Sequence, residues 1–351
     1  MKILLYSPAF LPNVGGLEIN VAQLAERFVL AGHEVTLATR TAGRGLDRFA
    51  FRVLRRPRPA ALLRAVLACD VFFQANVSLR GLWPLLLVRR PWAVSHHSWY
   101  RRPDGRIAWQ DRLKRRLLRF AAVSIAVSRA LAEDLETPSL VIPNPYRDAL
   151  FRIVPDVVRD DDLVFVGRLV SQKGVDLLLA ALRRLAERGL RPRLSVAGDG
   201  PELSALRAQA ERLGLAGQVK FSGIVEGEEL VRLLNRHRIL VVPSRYHEPF
   251  GIVALEGIAC GCAVVGSAGG GLPEAIGCCG RTFANGNIEE LADLLADLLA
   301  RPEELERLRA GAAEHLSRHR SDRIARLNLA ALGEAVTAAR QRRHASTGKA
   351  L

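Results

Sequence analysis

Two carboxylates, Glu248 and Glu256, lie within Ser244-Arg-Tyr-His-Glu248-Pro249-Phe250-Gly251-Ile252-Val-Ala-Leu-Glu256-Gly257. This segment follows an apolar run, and Pro249 suits the first turn of a helix. Glu248 then sits in the loop at the helix start, beside the N–H groups of Phe250, Gly251 and Ile252, which lack intrahelical acceptors. Glu256 lies nearly two turns further on. Carboxylates placed this way can hold two hydroxyl-rich parts of one ligand, with an anion on the bare amides between them. On its own the E-x7-E pattern is more commonly a helix-dipole partner at Glu248 and a surface charge at Glu256.

It does not stand alone. Val166-Gly167-Arg168-Leu-Val-Ser-Gln-Lys173-Gly174 leaves an apolar run and enters a helical pattern. A guanidinium fork at Arg168 and an ammonium point charge at Lys173 suit a diphosphate leaving group. Ala197-Gly198-Asp199-Gly200-Pro201-Glu202 repeats the strand–Gly turn–helix arrangement, and Gly269-Gly270-Gly271-Leu272-Pro273-Glu274 supplies a flexible turn backed by an acid. No metal site is expected. Asp160-Asp161-Asp162 contains D-x-D but reads as a solvated linker, and the C-x-C and C-C spacings of Cys260, Cys262, Cys278 and Cys279 are not zinc pairs.

The elements that must position these residues alternate strand and helix. Ile3–Tyr6, Glu34–Ala38, 71–73, 92–95, 124–127 and 139–142 read as strands. A helix with a buried face at Leu17, Val21, Leu24, Ala25 and Phe28 joins the first two, a βαβ unit with a right-handed crossover. Residues 143–160 read as a linker. A second series of strands then opens at Leu163 and continues at 193–197, 219–221, 239–242 and 263–265, with helices near 174–188, 201–213, 226–236, 250–260 and 288–299. The pattern predicts an α/β chain of two doubly wound Rossmann-like domains facing a central cleft, over 1–155 and 156–320. Residues 321–351 are expected to form a C-terminal helix and basic tail crossing back to the first domain.

Composition excludes several classes. The chain has 351 residues, 49% hydrophobic and 25% charged, an ordinary globular mixture and not a disordered polyelectrolyte. Five Cys cannot staple a chain this long. No apolar run approaches the ~20 residues of a membrane span, and Met1–Pro8 reads as a strand and not a leader, which places the protein in the cytoplasm. The formal net charge is +15, of which residues 51–119 alone carry +13, from 16 basic and 3 acidic side chains. Arg outnumbers Lys 46 to 5, a compositional bias that does not explain the localisation. Trp109, Leu113, Leu117 and Phe120 share one helical stripe and Arg112, Arg115, Arg116 and Arg119 another, while Arg55, Arg56, Arg58 and Arg64 flank Leu62, Leu63, Val66 and Leu67. Such a segment suits an anionic membrane surface, and it suits equally a solvated basic face. Nucleic acid ranks last, because no finger, helix-turn-helix or aromatic RNP pattern is present.

In their order along the chain these motifs resemble the family-4, or group-1, retaining glycosyltransferases of GT-B architecture. The resemblance begins with Pro12-Asn-Val-Gly15-Gly16-Leu-Glu18 and Gly32-His-Glu-Val-Thr, and runs through Ile125-Ala-Val-Ser128, Val141-Ile-Pro-Asn144-Pro and the segments at 167–174, 197–201, 244–257 and 269–270. It implies transfer of a hexosyl group from a UDP- or GDP-linked donor to a glycan or lipid-linked acceptor, with retention and without a metal or other cofactor. It assigns Glu248 to the donor sugar hydroxyls and Glu256 to the ribose. Arg168 and Lys173 would neutralise the diphosphate. Gly198 and Ile224 would offer backbone to the donor, Gly15 and Gly16 would pack theirs against the donor phosphates or the acceptor, and Phe250, Gly251 and Ile252 would stand at the anion-binding helix start. His97 would face the reacting centre, though the His96-His97 pair leaves open which ring does so. His96, Tyr100 and Asn144 are candidates for the acceptor side. A GT-B epimerase and a non-catalytic binding protein are the competing readings; a phosphorylase would need a pyridoxal-anchoring lysine, for which there is no motif.

Overall fold

In the computed structural model, which describes residues 1–13, 15–43, 45, 47–102 and 105–347 (side chains to 342), the chain divides into two units. One comprises Met1–Pro145 and the chain from Ser321 onward; the other is Tyr146–Arg320. The division thus falls ten residues before the expected boundary. Residues 146–159 are tied to the second unit. Phe151 is buried, the Val154 N–H donates to Asn235 Oδ1 at 2.8 Å, and Arg159 donates to the carbonyls of His237 and Cys260 at 2.5 and 2.7 Å.

Among the described residues of the first unit, seven parallel strands form one sheet: β1 (Lys2–Ser7), β2 (Glu34–Thr39), β3 (Arg52–Arg55), β4 (Val71–Ala75), β5 (Trp92–His96), β6 (Val123–Ala126) and β7 (Leu140–Val141). Their order is β3-β2-β1-β4-β5-β6-β7, with the switch point beside β1. Strands β1, β4 and β5 are buried almost throughout, as a sheet covered on both faces requires. The helix Gly16–Leu30 lays Val21, Leu24, Ala25 and Phe28 on it. The C-terminal helix Ser321–Thr347 returns to the same core through Ile324, Ala325, Ala331, Leu332 and Val336. Helix therefore replaces the expected frayed tail as far as Thr347; residues 348–351 lie outside the described residues.

The second unit repeats the plan with β8 (Asp161–Val166), β9 (Leu194–Ala197), β10 (Val219–Gly223), β11 (His237–Val242), β12 (Ala263–Ser267) and β13 (Gly280–Phe283), ordered β10-β9-β8-β11-β12-β13 and all parallel. Strands β3 and β13 were not expected. Asp161 and Asp162 open β8 instead of a linker, and each pairs with an arginine, Arg193 and Arg238. Of the cysteines, Cys260, Cys262 and Cys279 are buried in the core and Cys278 is exposed. Among the described residues no three His, Cys, Asp or Glu side chains gather as metal ligands.

Candidate functional site

The second unit brings its catalytic candidates together at the carboxyl ends of β8, β9 and β11, where helix N-termini and unpaired strand ends converge. Beyond β8, a single 3₁₀ turn at Ser171–Lys173 lifts Lys173 so that its Nζ donates to Glu248 Oε1 at 2.6 Å. Ser244 Oγ donates to the same oxygen at 2.7 Å. Glu248 is 8% exposed, so this carboxylate is held in place by one cation and one hydroxyl. Its backbone is fixed as well. A parallel bridge joins Glu248 to Gly270, and the Gly271 N–H donates to the Glu248 carbonyl at 2.7 Å. Gly270 has φ +77°, and a Cβ there would lie 2.2 Å from that carbonyl oxygen. Only glycine allows the approach.

Helix Ile252–Ala259 begins immediately beyond, without a side-chain cap. Among the described residues the N–H groups of Phe250, Gly251 and Ile252 donate to no acceptor, leaving the anion-binding capacity expected of this turn. The Phe250 side chain itself is core, packed 5.7 Å from the His319 ring. Arg168 is exposed and its guanidinium has no partner among the described residues, so it is available to a ligand. The turn after β9 packs onto the Arg168 loop. Gly198 has φ +148°, a Cβ there would lie 1.9 Å from the Gly167 carbonyl oxygen, and Leu169 N–H donates to Asp199 O at 2.9 Å. Ile224, just after β10, is 68% exposed.

Glu256 is half-buried on the same helix, with Arg147 Nε donating to its Oε1 at 3.3 Å. Burial pushes its carboxyl up to about 7 despite the pull of the Arg147 charge. Sequence reasoning missed Arg147 and Ser244, and it missed a clamp between the two loops. Arg245 forms a bidentate pair with Asp176 at 2.5 Å, and its N–H donates to Gln172 O at 2.9 Å. Arg245 lies inside the motif that drew attention to Glu248, but nothing local pointed to a partner 69 residues away.

In the first unit the question of the two histidines resolves. His96 is fully buried, its ring held between Tyr100 Oη at 2.8 Å and Ser124 Oγ at 3.0 Å, and burial pushes its pKa down to about 3. Tyr100 is 3% exposed and its hydroxyl also accepts the Val77 N–H at 2.8 Å. Both side chains belong to the core, which corrects the acceptor pocket expected around them. His97 instead lies at the carboxyl end of β5 beside the expected Asn144. Asn144 Oδ1 accepts from Asn20 Nδ2 at 2.6 Å and lies 3.1 Å from His97 Nδ1. His97 Nε2 lies 2.8 Å from Ser95 Oγ, and the His97 backbone N–H donates to Asn76 Oδ1 at 2.7 Å. Burial pushes the ring down to about 4 against an opposing pull from Asn144, so it is neutral at pH 7. With both nitrogens engaged, it offers placement and not a free base. Asn20 Oδ1 is buried without a partner among the described residues. Gly15 and Gly16 begin the adjacent helix, with Gly15 extended at its N-cap.

The basic segment is divided. Arg55 pairs with Asp47 at 2.7 Å and donates to Leu11 O at 2.8 Å, while Arg115 pairs with Asp134 at 2.5 Å, so part of the charge serves the fold. The helix Trp109–Leu117 buries none of its residues, and Trp109 and Phe120 are 71% and 65% exposed. Pro103 and Asp104 of this segment lie outside the described residues. Among the described residues no helix is long and apolar enough to cross a membrane.

The model of the glycosyl transferases group 1 matches residues 147–315, and that of glycosyltransferase family 4 matches residues 14–148. An uncharacterized glycosyltransferase of Methanocaldococcus jannaschii is 43% identical over 121 residues, 34% of this chain and 30% of that protein. A D-inositol 3-phosphate glycosyltransferase of Actinosynnema mirum is 37% identical over 184 residues, covering 49% and 44%. Both alignments thus span less than half of the relative. The phosphatidylinositol N-acetylglucosaminyltransferase gpi3 subunit of Schizosaccharomyces pombe is 24% identical over 330 residues, 84% of this chain and 72% of that one. Among solved structures, Anabaena HepE in complex with UDP superposes with a TM-score of 0.83 at 22% identity, covering 95% of this chain and 100% of that one. Sucrose-phosphate synthase from Thermosynechococcus elongatus gives 0.78 at 23% identity, covering 96% and 99%. Together the two family models run from residue 14 to residue 315, and the chain belongs to the group-1, family-4 glycosyltransferases of GT-B architecture.

Proposed function

We propose that the protein transfers a hexosyl group, with retention and without a metal, from a UDP- or GDP-linked donor to a glycan or lipid-linked acceptor. The observation that carries this reading is the cluster of Lys173, Ser244 and Glu248 beside the bare amides of Phe250, Gly251 and Ile252. A carboxylate fixed by a cation, next to anion-seeking N–H groups, suits a sugar joined to a diphosphate. As the glycosidic bond breaks, negative charge grows on the diphosphate, and Arg168, Lys173 and the helix start stabilise it in place. Glu248 Oε2 accepts donor sugar hydroxyls, Glu256 accepts those of the ribose, and Gly198 and Ile224 lie where backbone meets the rest of the nucleotide.

On the acceptor side, Gly15, Gly16, His97 and Asn144 line the turn at the carboxyl ends of β1 and β5. Trp109, Leu113 and Phe120, exposed among arginines, favour an acceptor met at an anionic lipid surface.

The test is a panel of nucleotide sugars with lipid-linked and soluble glycan acceptors, scored for released nucleoside diphosphate in EDTA and for the anomeric configuration of the product by NMR. Acceptor-dependent release with a retained anomer supports the proposal. Sugar interconversion without an acceptor favours the epimerase reading, and an inverted product rejects retention.

A further inference from the structure

Arg147 lies outside every motif that identified the site, yet it contacts Glu256. Backbone bonds from Leu150 N–H and Phe151 N–H to its carbonyl, both 2.9 Å, curl residues 147–151 into one turn. That turn folds the guanidinium to 4.8 Å from the centre of the buried Phe151 ring. Stacking on one face leaves the edge of the fork to meet Glu256, where Nε bonds Oε1 at 3.3 Å. Among the described residues Glu256 Oε2 accepts no hydrogen bond, so one carboxylate oxygen is held and the other is open.

We propose that Arg147 is a positioning residue of the nucleotide site, fixing one oxygen of Glu256 so that the other accepts the donor's ribose hydroxyls. The inference rests on the reading of Glu256 as the ribose acceptor. An ionised carboxylate accepts from both hydroxyls of a diol, whereas a protonated one surrenders an acceptor and becomes a donor. Burial already holds Glu256 near 7, and an opposite charge at this distance lowers a carboxyl by about 1–3 units. Without Arg147 the group is neutral at physiological pH. Other ionisable groups nearby do not substitute. Cys260, one turn on, is a buried thiol pushed well above its usual range; His315, pushed below its own by burial, is directed at the Ala275 carbonyl; His319 lies against Phe250.

The experiment is calorimetric titration of UDP, GDP and inorganic pyrophosphate into wild type, Arg147→Met, Arg147→Lys and Glu256→Gln between pH 6 and 9. In wild type, affinity for the preferred nucleotide falls as pH drops through about 7. In Arg147→Met the fall begins at least one unit higher, weakening binding by about threefold or more at pH 7.5. Arg147→Lys recovers part of the shift, Glu256→Gln is weak at every pH, and pyrophosphate binds all four alike. A wild-type pH profile in Arg147→Met overturns the positioning role while leaving the nucleotide site intact. If wild type binds pyrophosphate but neither nucleotide, or if Glu256→Gln binds nucleotide like wild type, the ribose assignment falls and the proposal with it.

Discussion

Replacing Lys173 by Met separates chemistry from architecture at this site. The Nζ–Oε1 distance of 2.6 Å corresponds to about 6 kcal/mol of bare attraction at an effective dielectric of 20. The Lys173 side chain is 32% exposed and gives up hydration to make the contact, so the net stabilisation is about 1–2 kcal/mol. Glu248, its side chain only 11% exposed, would be left with the Ser244 hydroxyl alone. Lys173→Met is therefore expected to lower stability by that amount in urea unfolding. On the proposed reading it also removes a cation that neutralises the developing diphosphate charge, which is expected to cost about 10²–10³ in kcat, or about 3–4 kcal/mol of barrier. The double variant Lys173→Met/Glu248→Gln removes both charges together, so most of the stability returns while turnover does not. Steady-state release of nucleoside diphosphate and urea unfolding on the same samples distinguish the two effects. Wild-type kcat in Lys173→Met refutes the leaving-group role, and recovery of kcat in the double variant shows that the loss was structural.

Gly198→Ala would place a methyl 1.9 Å from the Gly167 carbonyl at φ +148°, so the Arg168 loop must shift; donor affinity is expected to fall with a destabilisation of about 2 kcal/mol or more, and an unchanged melting temperature would reject the packing argument. Burial raises the Glu256 carboxyl from its ordinary 4.5 to about 7, a cost that is absent below the lower value and complete above the higher one. Glu256→Gln is therefore expected to make the unliganded protein more stable above pH 7, by at most about 3 kcal/mol, with the gain vanishing near pH 4.5; a pH-independent difference in urea unfolding counts against it. Trp109→Ser/Phe120→Ser is expected to reduce sedimentation with anionic vesicles at low salt while sparing turnover of a soluble acceptor, and wild-type sedimentation would remove those side chains from any membrane contact.

What could be read from the chain and what could not divide on physical lines. Buried parallel strands such as Ile239–Val242 and the helix from Val175 announce themselves, because both faces of a strand or one stripe of a helix must be apolar. β3 and β13 did not, since Arg52-Val-Leu-Arg55 and Gly280-Arg-Thr-Phe283 are short edge strands with charged or polar residues and little to bury. Glu248 and Lys173 were legible because each lies in the loop between a buried strand and the helix that follows it. Their supports were not: the Arg147–Glu256 contact joins residues 109 apart and depends on tertiary fold. The histidine pair shows a sharper limit. Neighbouring residues at a strand end face opposite sides, so whether His96 or His97 enters the core is a matter of register, which only the packed sheet decides.

The pairing of Lys173 with Glu248 also shapes what the site can do after transfer. Arg147, Arg168, Lys173, Glu248 and Glu256, all ionised, sum to one positive charge. A nucleotide sugar carries about two negative charges, and the nucleoside diphosphate left behind carries nearly one more, because a terminal phosphate loses its second proton near pH 6. Cations that stabilise the growing charge in the transition state therefore hold the product more tightly than the substrate. On the proposed reading Arg168, exposed and with no guanidinium partner among the described residues, would contribute to both in full. Lys173 does not, because Glu248 at 2.6 Å retains part of its charge. On the proposed reading, a lysine already committed to a buried carboxylate would add to the pull on the leaving group only in part. On the same reading the ion pair would weaken the grip on the spent nucleotide, so Glu248→Gln is expected to tighten nucleoside diphosphate binding in calorimetry, and unchanged or weaker binding would refute the argument.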